Sequence, residues 1–135
     1  MLLTGLAPAA MANDVYGTWG PDRLAGTRGG DYVVARAGPD RIWARGGVFD
    51  IIDGGRGHDV MRGGRGTDEY NGGPGDDRMV DNGRDYGAAG VGDSFDGSNG
   101  NDHMFDRAGP AFMIHGNGND VLYSGRGRDF LLVSR

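Results

Sequence analysis

The chain has no cysteine, no lysine and a single glutamate, Glu69, among its 135 residues. Without cysteine, neither a disulfide nor a thiolate metal site can form, so whatever staples the fold must be non-covalent. All 14 basic residues are arginine, scattered along a chain of net charge −5. No basic face is concentrated enough to neutralise phosphates, so no nucleic acid is expected as a partner, and the arginines read most simply as partners for spare aspartates. Hydrophobic residues make up 37%, which is thin for an ordinary globular core of this length. No apolar run is long enough to span a bilayer, so no transmembrane segment is expected. Residues 1–12 are apolar, and Ala10-Met11-Ala12 matches a small-x-small cleavage site, so 1–12 reads as a possible signal peptide or its remnant although it lacks a basic start. Metalloprotease, nucleophile-elbow and phosphate-loop patterns are missing as well, and the chain is read as non-enzymatic.

What the chain has instead is 29 glycines and 18 aspartates. They are arranged with a nine-residue period from residue 17 to residue 132, clearest at Gly54–Arg62, Gly63–Asn71 and Gly72–Val80. Each unit reads Gly-Gly-x-Gly-x-Asp-x-U-x, with U a large apolar residue. Position six holds Asp22, Asp31, Asp40, Asp50, Asp59, Asp68, Asp77, Asp93, Asp102, Asp120 and Asp129, and Ala111 is its one exception. Position eight holds an apolar residue throughout, from Leu24 to Leu131. The phase breaks at Ala44, one residue too many, and at 81–87, a seven-residue unit with Asp85 but no apolar eighth position. His58, His103 and His115 fall at different positions of separate units, which excludes a zinc triad and makes them surface residues.

This pattern resembles the RTX, or haemolysin-type calcium-binding, nonapeptide repeat. A six-residue glycine-rich turn followed by a three-residue strand would place position eight inward and positions seven and nine outward. The resemblance implies an all-β fold, a right-handed parallel β-roll (a β-solenoid) over residues 13–135. Turns on one edge are then two units apart, which stacks their aspartates roughly 4.8 Å from one another. Counting units assigns Asp22, Asp40, Asp59, Asp77, Asp93, Ala111 and Asp129 to one edge, and Asp31, Asp50, Asp68, Asp85, Asp102 and Asp120 to the other.

Two carboxylates at that separation repel by roughly 1 kcal/mol in water and roughly 3–4 kcal/mol at an effective dielectric of 20. Ca²⁺ would reverse the sign, because it accepts six to eight oxygens in flexible geometry. In the family's arrangement an ion takes carbonyls from positions two and four of one turn, carbonyls from positions one and three of the next, and both position-six aspartates. The resemblance therefore implies Gly55, Gly57 and Asp59 with Gly72, Pro74 and Asp77. It implies Gly46, Val48 and Asp50 with Gly63, Arg65 and Asp68, and Ser98, Gly100 and Asp102 with His115, Asn117 and Asp120. Asp22 with Asp40 keeps the spacing, although Ala35-Arg36-Ala37-Gly38 reads as a degraded turn in which an aspartate could simply cap its own backbone. Ala111, with Ala89 and Val91 in place of glycines, is expected to leave the first edge without a site beyond Asp77. About three to five ions are expected, and Asp106, outside position six, is expected to be dispensable for binding them.

The leading functional expectation is a secreted, extracellular calcium-binding module that folds on binding Ca²⁺. A second is a calcium-stiffened adhesion or interaction protein: outward positions turn apolar near the C-terminus (Phe105, Phe112, Ile114, Val121, Tyr123, Phe130, Leu132), and self-association or a protein partner through this third would cover them. A third is the calcium-binding tail of a secreted hydrolase or toxin.

Overall fold

The computed structural model describes residues 13–84 and 92–133. The possible leader at 1–12 and residues Asp85, Ala89 and Val91 lie outside them. Each unit contributes one short strand after its glycine-rich turn, since only positions seven to nine lack the residues that force the backbone to bend. In chain order the strands are β1 (Asn13–Tyr16), β2 (Arg23–Ala25), β3 (Asp31–Val34), β4 (Arg41–Trp43), β5 (Ile51–Asp53), β6 (Val60–Arg62), β7 (Glu69–Asn71), β8 (Arg78–Val80), β9 (Asp93–Asp96), β10 (His103–Phe105), β11 (Ala111–Ile114), β12 (Val121–Tyr123) and β13 (Phe130–Leu132). Odd-numbered strands stack as β1-β3-β5-β7-β9-β11-β13, even-numbered ones as β2-β4-β6-β8-β10-β12, and every pairing is parallel. The result is a parallel β-solenoid whose chain alternates between two facing sheets. Among the described residues no helix is long and apolar enough to cross a membrane.

The register places position eight opposite position eight throughout. Val33, Ile52, Tyr70, Phe95 and Met113 form one inward column, and Leu24, Ile42, Met61, Met79 and Met104 the other. These side chains are 0–9% exposed and form the core between the sheets, joined by Ala35, Ala44 and Ala111. Full burial of each large apolar side chain is worth roughly 1.5–3 kcal/mol. Tyr70 and Phe95 stack face to face, with ring centroids 4.5 Å apart. Leu131 departs from the expectation: it is 41% exposed, because β13 is the outermost described strand of its sheet and no described strand of the opposite sheet follows β12 to lie over it.

The assignment of aspartates to edges needs a correction beyond residue 80. Among the described residues no strand lies between β8 and β9. Strand parity downstream therefore runs opposite to a count of units. β9 stacks on β7, and β10 on β8. The two edges are Asp22-Asp40-Asp59-Asp77-Asp102-Asp120 and Asp31-Asp50-Asp68-Asp93-Ala111-Asp129.

Candidate metal centre

Several of the stacked turns share one backbone conformation. Position two has positive φ in Gly55 (88°) and Gly73 (89°), and position four in Gly57 (147°) and Gly75 (146°). At Gly75 a side chain is excluded twice, by that φ and by the Gly57 carbonyl, against which an added methyl would collide. Arg36 (78°), Arg45 (76°) and Ser98 (68°) adopt the same position-two conformation without being glycine, at a cost of roughly 1–2 kcal/mol each. The turn at 35–40 is thus not degraded in shape. Its Arg36 carbonyl accepts the Arg56 amide at 2.9 Å, and the Gly38 amide reaches the Arg56 carbonyl at 2.7 Å.

Position six is tied to its neighbours by a hydrogen bond that the motif does not advertise. Wherever an aspartate stands one turn further along the same edge, the amide of the position-six residue donates to that aspartate's Oδ1. On one edge these bonds run Asp22 to Asp40 (2.7 Å), then Asp40 to Asp59, Asp59 to Asp77, Asp77 to Asp102 and Asp102 to Asp120, all 2.8 Å. On the other they run Asp31 to Asp50 (2.8 Å), Asp50 to Asp68 (3.0 Å) and Asp68 to Asp93 (2.7 Å). One oxygen of each carboxylate is thereby fixed.

The second oxygen decides the chemistry. Oδ2 of Asp40, Asp50, Asp59, Asp77 and Asp102 is buried with no hydrogen-bond partner, although a buried polar group left unsatisfied costs roughly 1–3 kcal/mol and more when charged. These oxygens converge on oxygens of the neighbouring turn. A methyl on Gly54 would sit 2.7 Å from Asp59 Oδ2 and 2.9 Å from the Gly72 carbonyl oxygen; one on Gly72 would sit 2.6 Å from Asp77 Oδ2 and 3.0 Å from the Gly97 carbonyl oxygen. Burial, opposed in part by the amide bonds and reinforced by neighbouring carboxylates, pushes Asp50, Asp59 and Asp102 up to about 6 and Asp77 up to about 7.

Three of the four ends of the edges are satisfied from within the protein. Asp22 Oδ2 accepts the Thr18 amide at 2.6 Å and its hydroxyl at 3.0 Å, and Asp31 Oδ2 accepts the Thr27 amide at 2.6 Å. At the other end His115 Nδ1 lies 2.9 Å from Asp120 Oδ2. His115 is therefore not the surface residue expected: it is 9% exposed and closes its own turn. The arginines also depart from expectation. The ion pairs among the described residues are His58 with Asp76 and His115 with Asp120, while Arg36 and Arg78 lie over the rings of Tyr16 and Phe105. The central carboxylates thus have no arginine partner among the described residues.

Gly55, Gly57 and Asp59 lie one turn from Gly72, Pro74 and Asp77 on the same edge, and the Gly57 amide bonds the Pro74 carbonyl at 3.0 Å. Ser98, Gly100 and Asp102 likewise adjoin His115, Asn117 and Asp120, with the Gly100 amide on the Asn117 carbonyl at 2.9 Å. Asp50 adjoins Asp68, but its turn is shifted by one residue from the expected frame. Ala44 takes position one, its amide on the Arg62 carbonyl, and Gly47 bonds the Arg65 carbonyl as a position-four residue does. The carbonyls at positions two and four are therefore those of Arg45 and Gly47 in place of Gly46 and Val48, and the Val48 carbonyl accepts the Thr67 amide at 3.0 Å. Asp22 adjoins Asp40, yet its second oxygen is held by Thr18. Two pairs that counting missed, Asp77 with Asp102 and Asp68 with Asp93, follow from the parity change; the missing apolar residue in 81–87 was its signal in the sequence.

Carboxylate and carbonyl oxygens, without nitrogen or sulfur among them, are the donor set of a hard divalent cation, and the orphaned Oδ2 atoms fit one. The residues that would hold one are position-six aspartates of successive turns with the carbonyls between them. No match was found among curated proteins or solved structures. The model of the RTX calcium-binding nonapeptide repeat, in four copies, matches residues 16–48, 49–79 and 114–131, and with that pattern laid on this stack of turns the chain belongs to the RTX calcium-binding repeat family.

Proposed function

We propose that this is a secreted structural module whose roll is completed by calcium, the ions bridging successive turns along the middle of each edge. The observation that carries the reading is the set of buried, partnerless Oδ2 atoms on Asp40, Asp50, Asp59, Asp77 and Asp102, flanked by end turns that Thr18, Thr27 and His115 already satisfy. Such a device leaves the chain loose where calcium is scarce and folds it where calcium is abundant, which suits export followed by folding outside the cell. The regular pairs are Asp40 with Asp59, Asp59 with Asp77, Asp77 with Asp102, and Asp50 with Asp68.

For extracellular-type sites with dissociation constants near about 10⁻⁴ M, millimolar calcium stabilises the fold by roughly 1.4 kcal/mol per site. Several sites together then rival the whole stability of a small domain, about 5–15 kcal/mol. Far-UV circular dichroism and thermal melts in chelator and in millimolar calcium test this: the strand signal and melting temperature are expected to rise with calcium, and identical curves would refute it. A second reading, association through the C-terminal third, is favoured by one observation. Phe112 and Phe130 stack on the outside of the roll with centroids 5.3 Å apart, and are 38% and 59% exposed.

A further inference from the structure

Position six fails once, at Ala111, which β11 places directly beside Asp93. The Asp93 amide, deprived of a carboxylate there, takes the Pro110 carbonyl at 3.1 Å. Two aspartates outside position six stand nearby. Asp81 and Asp106 each follow a strand of the same sheet, β8 and β10, and open their turns in the place normally held by glycine: the Asp81 amide bonds the Phe105 carbonyl at 2.8 Å, and the Asp106 amide the Tyr123 carbonyl at 2.9 Å. In the regular turns that position is vacant for a reason already visible at Gly54 and Gly72, where an added methyl would fall beside the position-six Oδ2. A side chain at position one thus enters the same space as the position-six carboxylate, from the other end of the turn.

Asp81, Asp93 and Asp106 are all fully buried, and one carboxylate oxygen of each lies within 4.8 Å of the other two. Asp106 Oδ1 accepts the Ala108 amide at 3.0 Å, while its Oδ2 is buried with no partner. Asp81 accepts the Gly64 amide at 3.3 Å on Oδ1 and the Gly83 amide at 2.9 Å on Oδ2, with the Tyr70 hydroxyl 3.4 Å from Oδ1. The charged groups acting on Asp106 are themselves acids, Asp81 and Asp129. Three oxygens so spaced share a point at most about 2.8 Å from each, within reach of calcium–oxygen lengths of about 2.3–2.6 Å.

We propose that Asp81, Asp93 and Asp106 form an additional calcium site within the roll, in which Asp106 supplies from position one the carboxylate that Ala111 withholds from position six. The proposal rests on the reading of the turns as calcium sites and extends it beyond the repeat motif. With three carboxylates where a regular pair has two, this centre is the tightest in the molecule, since affinity rises with ligand charge.

Calcium titration of the full chain, with bound ions counted by equilibrium dialysis, tests it. Asp106→Asn is expected to bind one ion fewer than the wild type and to lose the tightest step. The double variant Asp106→Gly with Ala111→Asp returns the carboxylate to the regular register and is expected to regain that ion, which a merely structural role for Asp106 would not allow. If Asp106→Asn does not fold in calcium, the double variant decides: wild-type stoichiometry upholds the site, and one ion fewer overturns it. Unaltered stoichiometry and affinity in Asp106→Asn overturns this site alone, whereas a wild-type chain that binds no calcium removes the broader reading with it.

Discussion

At the scale of single residues, what separates one aspartate from another is the fate of its second oxygen. Asp59 and Asp77 are fixed by one amide each and left with a buried, partnerless Oδ2, while Asp22 has Thr18 on the same atom. Asp59→Ala is therefore expected to lose at least one calcium ion and about 1–2 kcal/mol of stability in millimolar calcium. Asp77→Ala should lose as much, since each stands between two neighbours on its edge, Asp59 between Asp40 and Asp77 and Asp77 between Asp59 and Asp102. Asp22→Ala should leave the ion count unchanged. Equilibrium dialysis and melts in calcium check all three, and an equal loss from each would mean that bulk negative charge governs binding. The importance of position six was legible in the sequence, because the period repeats the aspartate. The Thr18, Thr27 and His115 contacts were not: a motif registers what stands at a position, and these residues act by which atom they reach across the turn.

At the scale of elements, the short strands and their inward eighth positions could be read from the alternation alone, because one large apolar residue per unit has only one face to bury. The downstream pairing could not be read by counting. Among the described strands β9 follows β8 and stacks on β7, a change of parity that the nine-residue period does not announce. The outward faces of β11 and β13 carry a prediction of their own. Phe112 and Phe130 stack across neighbouring strands without covering from the rest of the described chain. Replacing both by serine spares the inward Met113, and is expected to shift a self-associating wild type toward monomer in sedimentation at high micromolar concentration with calcium. A wild-type chain already monomeric there would reduce the pair to local packing.

At the scale of the whole molecule, the buried carboxylates make the metal-free roll prefer acid. In the fold Asp50, Asp59, Asp102 and Asp106 rise to about 6 and Asp77 to about 7, from an ordinary 3.8. Raised folded values mean that the fold binds more protons than the unfolded chain between about pH 4 and 7; the stability this contributes is complete below about 4 and lost as pH climbs through 6 to 7. In chelator the melting temperature should therefore rise when pH falls from about 7.5 to about 5. In saturating calcium, which needs the ionised carboxylates, the order should reverse. Chelator melts that fall on acidification would contradict the burial of these groups.

The amide-to-carboxylate bonds between turns all point one way, and this gives the axis a direction. The donor at position six belongs to the earlier turn and the acceptor to the later one, from Asp22 through to Asp120. A chain that emerges N-terminus first thus always has, at its growing end, a turn whose amide is still answered only by water. The second repeat to arrive after it brings the carboxylate that replaces that water. Each repeat completes the one two before it, on the same edge, so order of arrival and order of assembly coincide.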